Sequence, residues 1–386
     1  MFDIVIAGIG QIPVGEHRET TLRSQALQAI QGAILDSGGL KPQALFVGNM
    51  LAANLSHQTH LGALLADYAG LAGIEAESLE VGGASGGAAL RQGYLAIASG
   101  LVDVALVVGV EKFTDGIEPD QEAALATLID ADYEAIHGLT LAGQAALLTR
   151  RYLHENNLPL DKLVGFPLTA HINGAGNKNA MYRKAISLEV YQKAEIICDP
   201  VNILDIAPNG DGAAALILTR RESLPKDSSN PVVRLIASTI ASDTFSLAER
   251  NDPLMFTAAQ VSIEWAFQRA GITLDEVDLF EYYDAFSIFA ALSLEAAGFA
   301  ERGKGWKLAM DGGIALRGQI PCATMGGLKA RGNPGGATGV YQAVEAVMQL
   351  RCQAGVNQIN KAHYALIQCL GGPGSIAVTH ILQGDL

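Results

Sequence analysis

Short apolar runs alternate with stretches of helical periodicity along the chain, and glycine-rich turns punctuate them. Residues 3–10, 44–47, 102–110 and 213–219 read as strands, the longer ones with so few polar positions that both faces of their sheet must be covered. Helical periods fill 21–38, 61–69 and 88–99. The pattern recurs further on, with strands at 232–242, 277–282, 364–369 and 376–382 and helices at 253–271, 284–298 and 340–352. Such alternation predicts an α/β chain. Between the two series, 111–195 is richer in charge, with a helix at 142–156 and a polar, loop-like stretch at 173–183. It reads as an excursion inserted into the first unit, which resumes with 202–206 and the turn Gly210-Asp211-Gly212. The expected division is therefore 1–225, with the insertion, and 226–386. Each half contains a glycine-rich turn, a helix and an apolar strand in that order, the mark of an internal duplication.

Composition narrows the function classes. The 386 residues allow a large core, and no window approaches the roughly eighteen apolar residues of a membrane span. The start, Met1-Phe2-Asp3-Ile4-Val5, lacks the basic region of a signal peptide. Four separated cysteines without a CxxC pair suit a reducing cytoplasm and argue against a protein-bound zinc. A net charge of −14 disfavours nucleic acid and anionic membrane as partners, but leaves room for an anionic cofactor held by local amides and cations. His57 and His60 have no carboxylate or cysteine beside them to complete a metal site, and Gly8-Ile9-Gly10 lacks the rest of a dinucleotide fingerprint.

Chemistry concentrates in glycine-rich turns. In Leu79-Glu80-Val81-Gly82-Gly83-Ala84-Ser85-Gly86-Gly87-Ala88-Ala89-Leu90 a strand at 78–81 turns sharply into the helix at 88–99. The turn presents residue 83 at a helix N-terminus, where free N–H groups and the helix dipole favour developing negative charge. A nucleophile elbow has Cys or Ser there; this chain has Gly83, so the housing is present without the nucleophile. Three other segments stand out: Glu281-Tyr282-Tyr283-Asp284-Ala285-Phe286-Ser287, Gly332-Asn333-Pro334-Gly335-Gly336-Ala337-Thr338-Gly339 and Gln368-Cys369-Leu370-Gly371-Gly372-Pro373-Gly374.

Together these segments resemble the active-site loops of the thiolase superfamily, most closely its sterol-carrier-protein and archaeal members. Aligned on Ser85-Gly86, the family's nucleophilic Cys falls on Gly83. The His and Cys of the family's His-Asp-Cys-Phe segment fall on Tyr283 and Ala285, with Asp284 and Phe286 kept. Tyr-Asp-x-Phe is similar to the steroid side-chain aldolases of the lipid-transfer-protein group, in which a tyrosine is thought to transfer the proton. The His of Gly-His-Pro-x-Gly-Ala-Thr-Gly falls on Asn333, which cannot act as a base but donates to an oxyanion. Cys369 aligns with the Asn of a His-Asn-x-Gly-Gly segment. The resemblance implies a duplicated, five-layered αβαβα fold with a loop domain in its first half, CoA thioesters as substrates, at least a homodimer, and a separate small OB-fold partner with a zinc ribbon.

Each residue has a plainer reading. Tyr283 is a tyrosine packed at a strand end, Asn333 a turn residue before proline, and Cys369 a small buried hydrophobe. On the functional side, Tyr283, beside Asp284, works as acid or base, Asn333 and the amides of Gly83 and Gly371 hold an enolate, and Cys369 is the one candidate for a surviving acid or nucleophile. That set suits retro-aldol cleavage of a β-hydroxyacyl-CoA without an acyl-enzyme. Acyl transfer through Cys369 and non-catalytic acyl-CoA or lipid binding stay open. Arg150, Arg151, Lys178, Arg183 and Lys184, in the insertion, are the expected cations for the CoA phosphates, against a reading as solvated surface charge.

Overall fold

The structure is a computed structural model and describes residues 2–226 and 230–385. The expected junction at 225/226 adjoins residues 227–229; these, together with residue 1 of the first expected unit and residue 386 of the second, lie outside the described residues. The first half opens with β1 (Ile4–Gln11), α1 (Leu22–Asp36), β2 (Ala44–Gly48), the single turn α2 (Ala52–Leu55), α3 (Leu61–Tyr68) and β3 (Glu75–Leu79). It continues through α4 (Ser85–Ser99) and β4 (Val104–Glu111). Residues 112–211 then leave the sheet, carrying α5 (Glu118–Leu125), α6 (Leu141–Glu155), α7 (Gly165–Ala175), α8 (Leu188–Gln192) and a small hairpin of β5 (Ile196–Cys198) and β6 (Val201–Asn202). The chain rejoins the sheet at β7 (Gly212–Arg220). The second half comprises β8 (Val233–Ser242), α9 (Thr257–Ala270), β9 (Leu279–Glu281), α10 (Ser287–Ala297), α11 (Gly305–Met310), α12 (Thr338–Leu350), β10 (Tyr364–Gly371) and β11 (Ile376–Gly384).

The strands form one nine-stranded sheet in the order β3-β2-β4-β7-β1-β8-β11-β10-β9. Its middle is thin: β1 and β8 share only the antiparallel pairs Val5↔Arg234 and Ile6↔Val233. Outward from that seam, β8-β11-β10-β9 repeats the order β1-β7-β4-β2, with β3 as an extra edge strand of the first half, the structural counterpart of the duplication read in the sequence. Strand alternation builds the layers. In β7, Ala213, Ala215 and Ile217 join the core beneath α1 and α3, whereas Ala214, Leu216 and Leu218 face the core shared with α4 and α12. In β10, Ala365, Ile367 and Cys369 line that same central core, while Leu366 and Leu370 point to the core under α9 and α10. Helices α4 and α12 are thus the middle layer, with a half-sheet and an outer helical layer on either side.

The two middle helices meet backbone to backbone at their N-termini. A β-carbon on Gly339 would stand 2.3 Å from the Gly87 nitrogen, and one on Gly86 would stand 2.8 Å from the Gly336 oxygen. Both glycine-rich turns are therefore fixed by this crossing, which sets them side by side.

Several boundaries differ from the sequence expectation for local reasons. Strand β3 begins at Glu75 and stops at Leu79, and α4 starts at Ser85 because the Ser85 hydroxyl clamps the turn. The expected strand at 277–282 shrinks to Leu279–Glu281, since Asp278 is spent on capping the backbone of His363 and Tyr364. The stretch at 173–183 is not wholly loop: its first three residues close α7. No helix among the described residues is long and apolar enough to cross a membrane.

Candidate active site

The elbow follows β3. Ser85 Oγ donates to the Gly82 carbonyl at 2.6 Å and accepts from Val81 N–H at 3.0 Å, while Gly82 takes φ +61°. Gly83 itself does not have a left-handed backbone. Its lack of a side chain answers to a neighbour instead: a β-carbon on residue 83 would stand 2.1 Å from Tyr283 Oη, 2.6 Å from Tyr283 Cζ and 2.9 Å from the Leu370 carbonyl oxygen. The tyrosine hydroxyl fills the slot in which an elbow nucleophile would sit. Tyr283 lies between β9 and α10, 6% exposed. Burial first, then the neighbouring Cys369 and Asp284, push its phenol above the ordinary tyrosine range, so it rests neutral.

The other glycine-rich loops close around this slot. Gly82 abuts Gly371, with 3.3 Å between a Gly82 β-carbon and the Gly371 Cα, and a cavity of about 340 Å³ opens there between Leu128, Phe245 and Ile376. Asn333 is nearly buried; its Nδ2 donates to Asn209 Oδ1 at 3.2 Å and its Oδ1 accepts from Gly335 N–H at 3.2 Å. The Asn333 side-chain oxygen therefore caps the turn as a turn asparagine does. Asp284 Oδ1 accepts from Leu328 N–H at 2.7 Å, while Oδ2 is buried without a hydrogen-bond partner; burial raises its pKa although Lys329 opposes the shift.

Cys369 is placed differently from the rest. It is fully buried in the central core, its Sγ donates to Gln342 Oε1 at 2.9 Å, and burial pushes the thiol up to about 12. These surroundings belong to a small core residue; a nucleophilic cysteine needs an exposed, electropositive setting.

These features can be set against known proteins. The thiolase N-terminal domain family matches residues 4–222, and the thiolase C-terminal domain-like family matches residues 239–384. The chain belongs to the thiolase family. An acetyl-CoA acetyltransferase of Methanothermobacter thermautotrophicus is 37% identical over 99% of this chain and 100% of its own length. Sterol carrier protein 2 of Bos taurus is 28% identical over 82% of this chain and 60% of its own. Among solved structures, the Ltp2-ChsH2(DUF35) aldolase superposes with a TM-score of 0.84 at 23% identity, covering 99% of this chain and 98% of that one. The fold is the thiolase fold.

Within that fold, sequence reasoning missed the residues that brace the site. Glu111 closes β4; it accepts from Met50 N–H at 3.0 Å, Leu51 N–H at 3.2 Å, Gly336 N–H at 3.0 Å and Asn49 Nδ2 at 2.8 Å, tying three loops together. Complete burial raises it to about 7 against those donors. Gln342 on α12 donates to the Tyr282 carbonyl at 2.7 Å, holding the segment that carries Tyr283. Beneath lie Glu281, Lys329, Arg331 and Glu345, all buried; Arg331 Nε stands 3.1 Å from Glu345 Oε1, and burial lowers Lys329 to about 8. The signal was available: charges inside an otherwise apolar strand, turn and helix.

The five cations of the excursion do not converge. Arg150 and Arg151 rim one groove and pair with Asp199 and Glu155. Arg183 and Lys184 line a separate depression with His171 and Tyr182, whose rings stack 5.9 Å apart. Lys178 is exposed and lines neither hollow.

Proposed function

We propose that this protein is a CoA-thioester carbon–carbon lyase, cleaving a β-hydroxyacyl-CoA by retro-aldol chemistry with Tyr283 as the proton carrier. The observation that carries the reading is the tyrosine hydroxyl in the residue-83 slot, 2.1 Å from where a β-carbon would be. A tyrosine in that place takes over the reacting position from a covalent nucleophile. In the reaction, the phenolate accepts the β-hydroxyl proton and the Cα–Cβ bond breaks. Its electron pair moves onto the thioester as an enolate. N–H groups of Gly83, Gly371 and Asn333 hold the enolate oxygen. The phenol then returns the proton to Cα, releasing a shortened acyl-CoA and a carbonyl compound. The bonding pair of Cα–Cβ ends in the new Cα–H bond while the β-carbon becomes the carbonyl, so the cleavage balances without an external oxidant or reductant. Asp284, held by Leu328 N–H, positions the tyrosine's segment.

Lys178, Arg183 and Lys184, which pair with no carboxylate among the described residues, suit the CoA phosphates better than the engaged Arg150 and Arg151. The exposed Tyr182 ring beside them offers a stacking face for adenine. A second copy of the chain is the expected neighbour of β3, an exposed edge strand with one side unpaired. A small partner subunit, as in the Ltp2-ChsH2(DUF35) aldolase, completes the assembly.

The test is mass-spectrometric detection of cleavage of β-hydroxyacyl-CoA thioesters without added CoA, with and without such a partner. Tyr283→Phe is expected to abolish cleavage while preserving binding; unchanged turnover would refute the role. Acyl transfer is the second reading, favoured by the names of relatives 37% and 35% identical. CoA-dependent cleavage of β-ketoacyl thioesters would establish it.

A further inference from the structure

The cavity beside Gly82 and Gly371, about 340 Å³, has an apolar and an acidic part. The apolar part is Leu128, Phe245 and Ile376, and two of these reach the glycines themselves. A β-carbon on Gly82 would stand 3.7 Å from Leu128 Cδ2, and one on Gly371 would stand 2.3 Å from Ile376 Cγ2. Phe245, on the loop after β8, lines the same space yet leaves 52% of its surface to solvent. Leu128 belongs to the excursion and Phe245 to the second half, and Glu134 ties their segments together. Its Oε1 accepts from Leu247 N–H at 2.9 Å and from Ser246 Oγ at 3.3 Å. The acidic part is Glu80 and Asp243, and no lysine or arginine is among the described lining residues. Glu80 Oε1 accepts from Gly82 N–H at 2.6 Å and Asp243 Oδ1 from Thr244 N–H at 2.7 Å. Arg250 faces Asp243 and Glu134 from outside this lining, with its Nε on the Thr244 carbonyl at 2.9 Å and its Nη1 on the Pro373 carbonyl at 2.7 Å. One guanidinium against Glu80, Asp243 and Glu134 leaves the wall net negative.

We propose that this cavity receives the acyl chain of the CoA thioester, with Leu128 and Phe245 setting its width and Glu80 and Asp243 excluding chains that end in a carboxylate. The substrate class is then an uncharged acyl chain of moderate length. The assignment rests on the CoA-thioester reading above and adds the substrate class to it. A chain leaving an enolate held at the Gly371 amide enters this space directly. Its volume is at the lower end of the ~300–1,000 Å³ range of ligand pockets, which sets the moderate length. A carboxylated end would bring a further negative charge to a wall that offers it no cation, and such like-charge contacts are how a site rejects one ligand among similar ones. A larger hollow beside α6, about 1120 Å³, shares no lining residue with the cavity and touches neither glycine.

Isothermal titration of the full chain with CoA, octanoyl-CoA and octanedioyl-CoA tests this without requiring turnover. Octanoyl-CoA is expected to bind at least tenfold more tightly than octanedioyl-CoA. The double variant Glu80→Gln, Asp243→Asn keeps the acceptor oxygens that hold Gly82 and Thr244, and is expected to shrink that preference to within threefold. Phe245→Ala, at a half-exposed position that folding tolerates, is expected to weaken octanoyl-CoA at least fivefold and leave CoA within twofold. Leu147→Glu, in the larger hollow and 58% exposed, is expected to change neither. Equal affinity for the two acyl-CoAs, or a preference surviving the double variant, would overturn the charge filter. Octanoyl-CoA affinity lost in Leu147→Glu and kept in Phe245→Ala would move the chain to the larger hollow and overturn the assignment. Turnover failing while these affinities hold would refute the lyase reading alone; no CoA binding at all would remove both.

Discussion

Gly83→Ala tests the central geometry directly. The added β-carbon would lie 2.1 Å from Tyr283 Oη, so the ring tip must retreat by roughly 1.3 Å to reach ordinary contact at 3.4 Å. The ring has little room: it is packed in the core beneath α9 and α10. The Leu370 carbonyl, 2.9 Å from the same point, belongs to a paired strand and cannot swing away. Overpacking of this kind costs about 1–3 kcal/mol, and the rigid surroundings place this case near 3 kcal/mol. Tyr283→Ala removes Oη and Cζ and by itself costs about 3–5 kcal/mol through the cavity it leaves. In that background Gly83→Ala meets only the Leu370 oxygen and is expected to cost below about 1 kcal/mol, a coupling of roughly 2 kcal/mol. Denaturant titration of the four proteins measures the cycle. Tyr283→Phe refines it, because Cζ still stands 2.6 Å from the new carbon and most of the clash should persist. Additivity within about 0.5 kcal/mol would show that the tyrosine does not occupy the slot, and the mechanism built on it would fall.

Four further outcomes follow from the same geometry. Because Tyr283 is held above the ordinary tyrosine range, its phenolate is a minority species that grows tenfold per pH unit; kcat/KM of a lyase using it as base should rise with unit slope through neutral and alkaline pH, and a flat profile would exclude that role. Cys369→Ser should retain turnover within about threefold, since the hydroxyl still donates to Gln342, and iodoacetamide should label Cys369 only after unfolding. His380 is fully buried, with its Nε2 3.1 Å from the Gly87 carbonyl and its pKa lowered to about 3 by burial, so the unfolded chain takes up a proton that the folded one refuses. Stability from this group is complete above about pH 6.5 and falls by about 1.4 kcal/mol per unit below it; the difference between wild type and His380→Gln, titrated with denaturant from pH 7 to 4, should show that slope. The double variant Arg183→Ala, Lys184→Ala should raise KM for a CoA thioester severalfold at unchanged kcat, with a weaker salt dependence; an unchanged KM would return those cations to the solvated surface.

Most of the architecture was legible because strand and helix have different apolar periods, and because glycines mark where backbones touch. Residues 44–48, 104–111 and 212–220 are nearly continuous apolar runs, and they became inner strands buried on both faces. The site was legible only as a set of positions. Gly83 looked like a loss, because a sequence shows an absent side chain but not what stands in its place. The residue whose hydroxyl fills that space is 200 positions away, at Tyr283, and nothing local joins the two. The same blindness applied to charge: Glu111, Glu281 and Glu345 read as single acidic residues, yet each is fully buried. Their energetics depend on amides and guanidinium groups contributed by other loops. Cys369 erred the other way, attracting chemical interest by its motif while its alternation within β10 turned it into the middle layer. Strand parity was already readable, since Ile367 and Cys369 share one face and Leu366 and Leu370 the other. What parity could not supply was which face holds the reaction centre. That follows only from the crossing of α4 and α12, where β-carbons on Gly87 and Gly339 would stand 3.0 and 2.7 Å from the Cys369 sulfur.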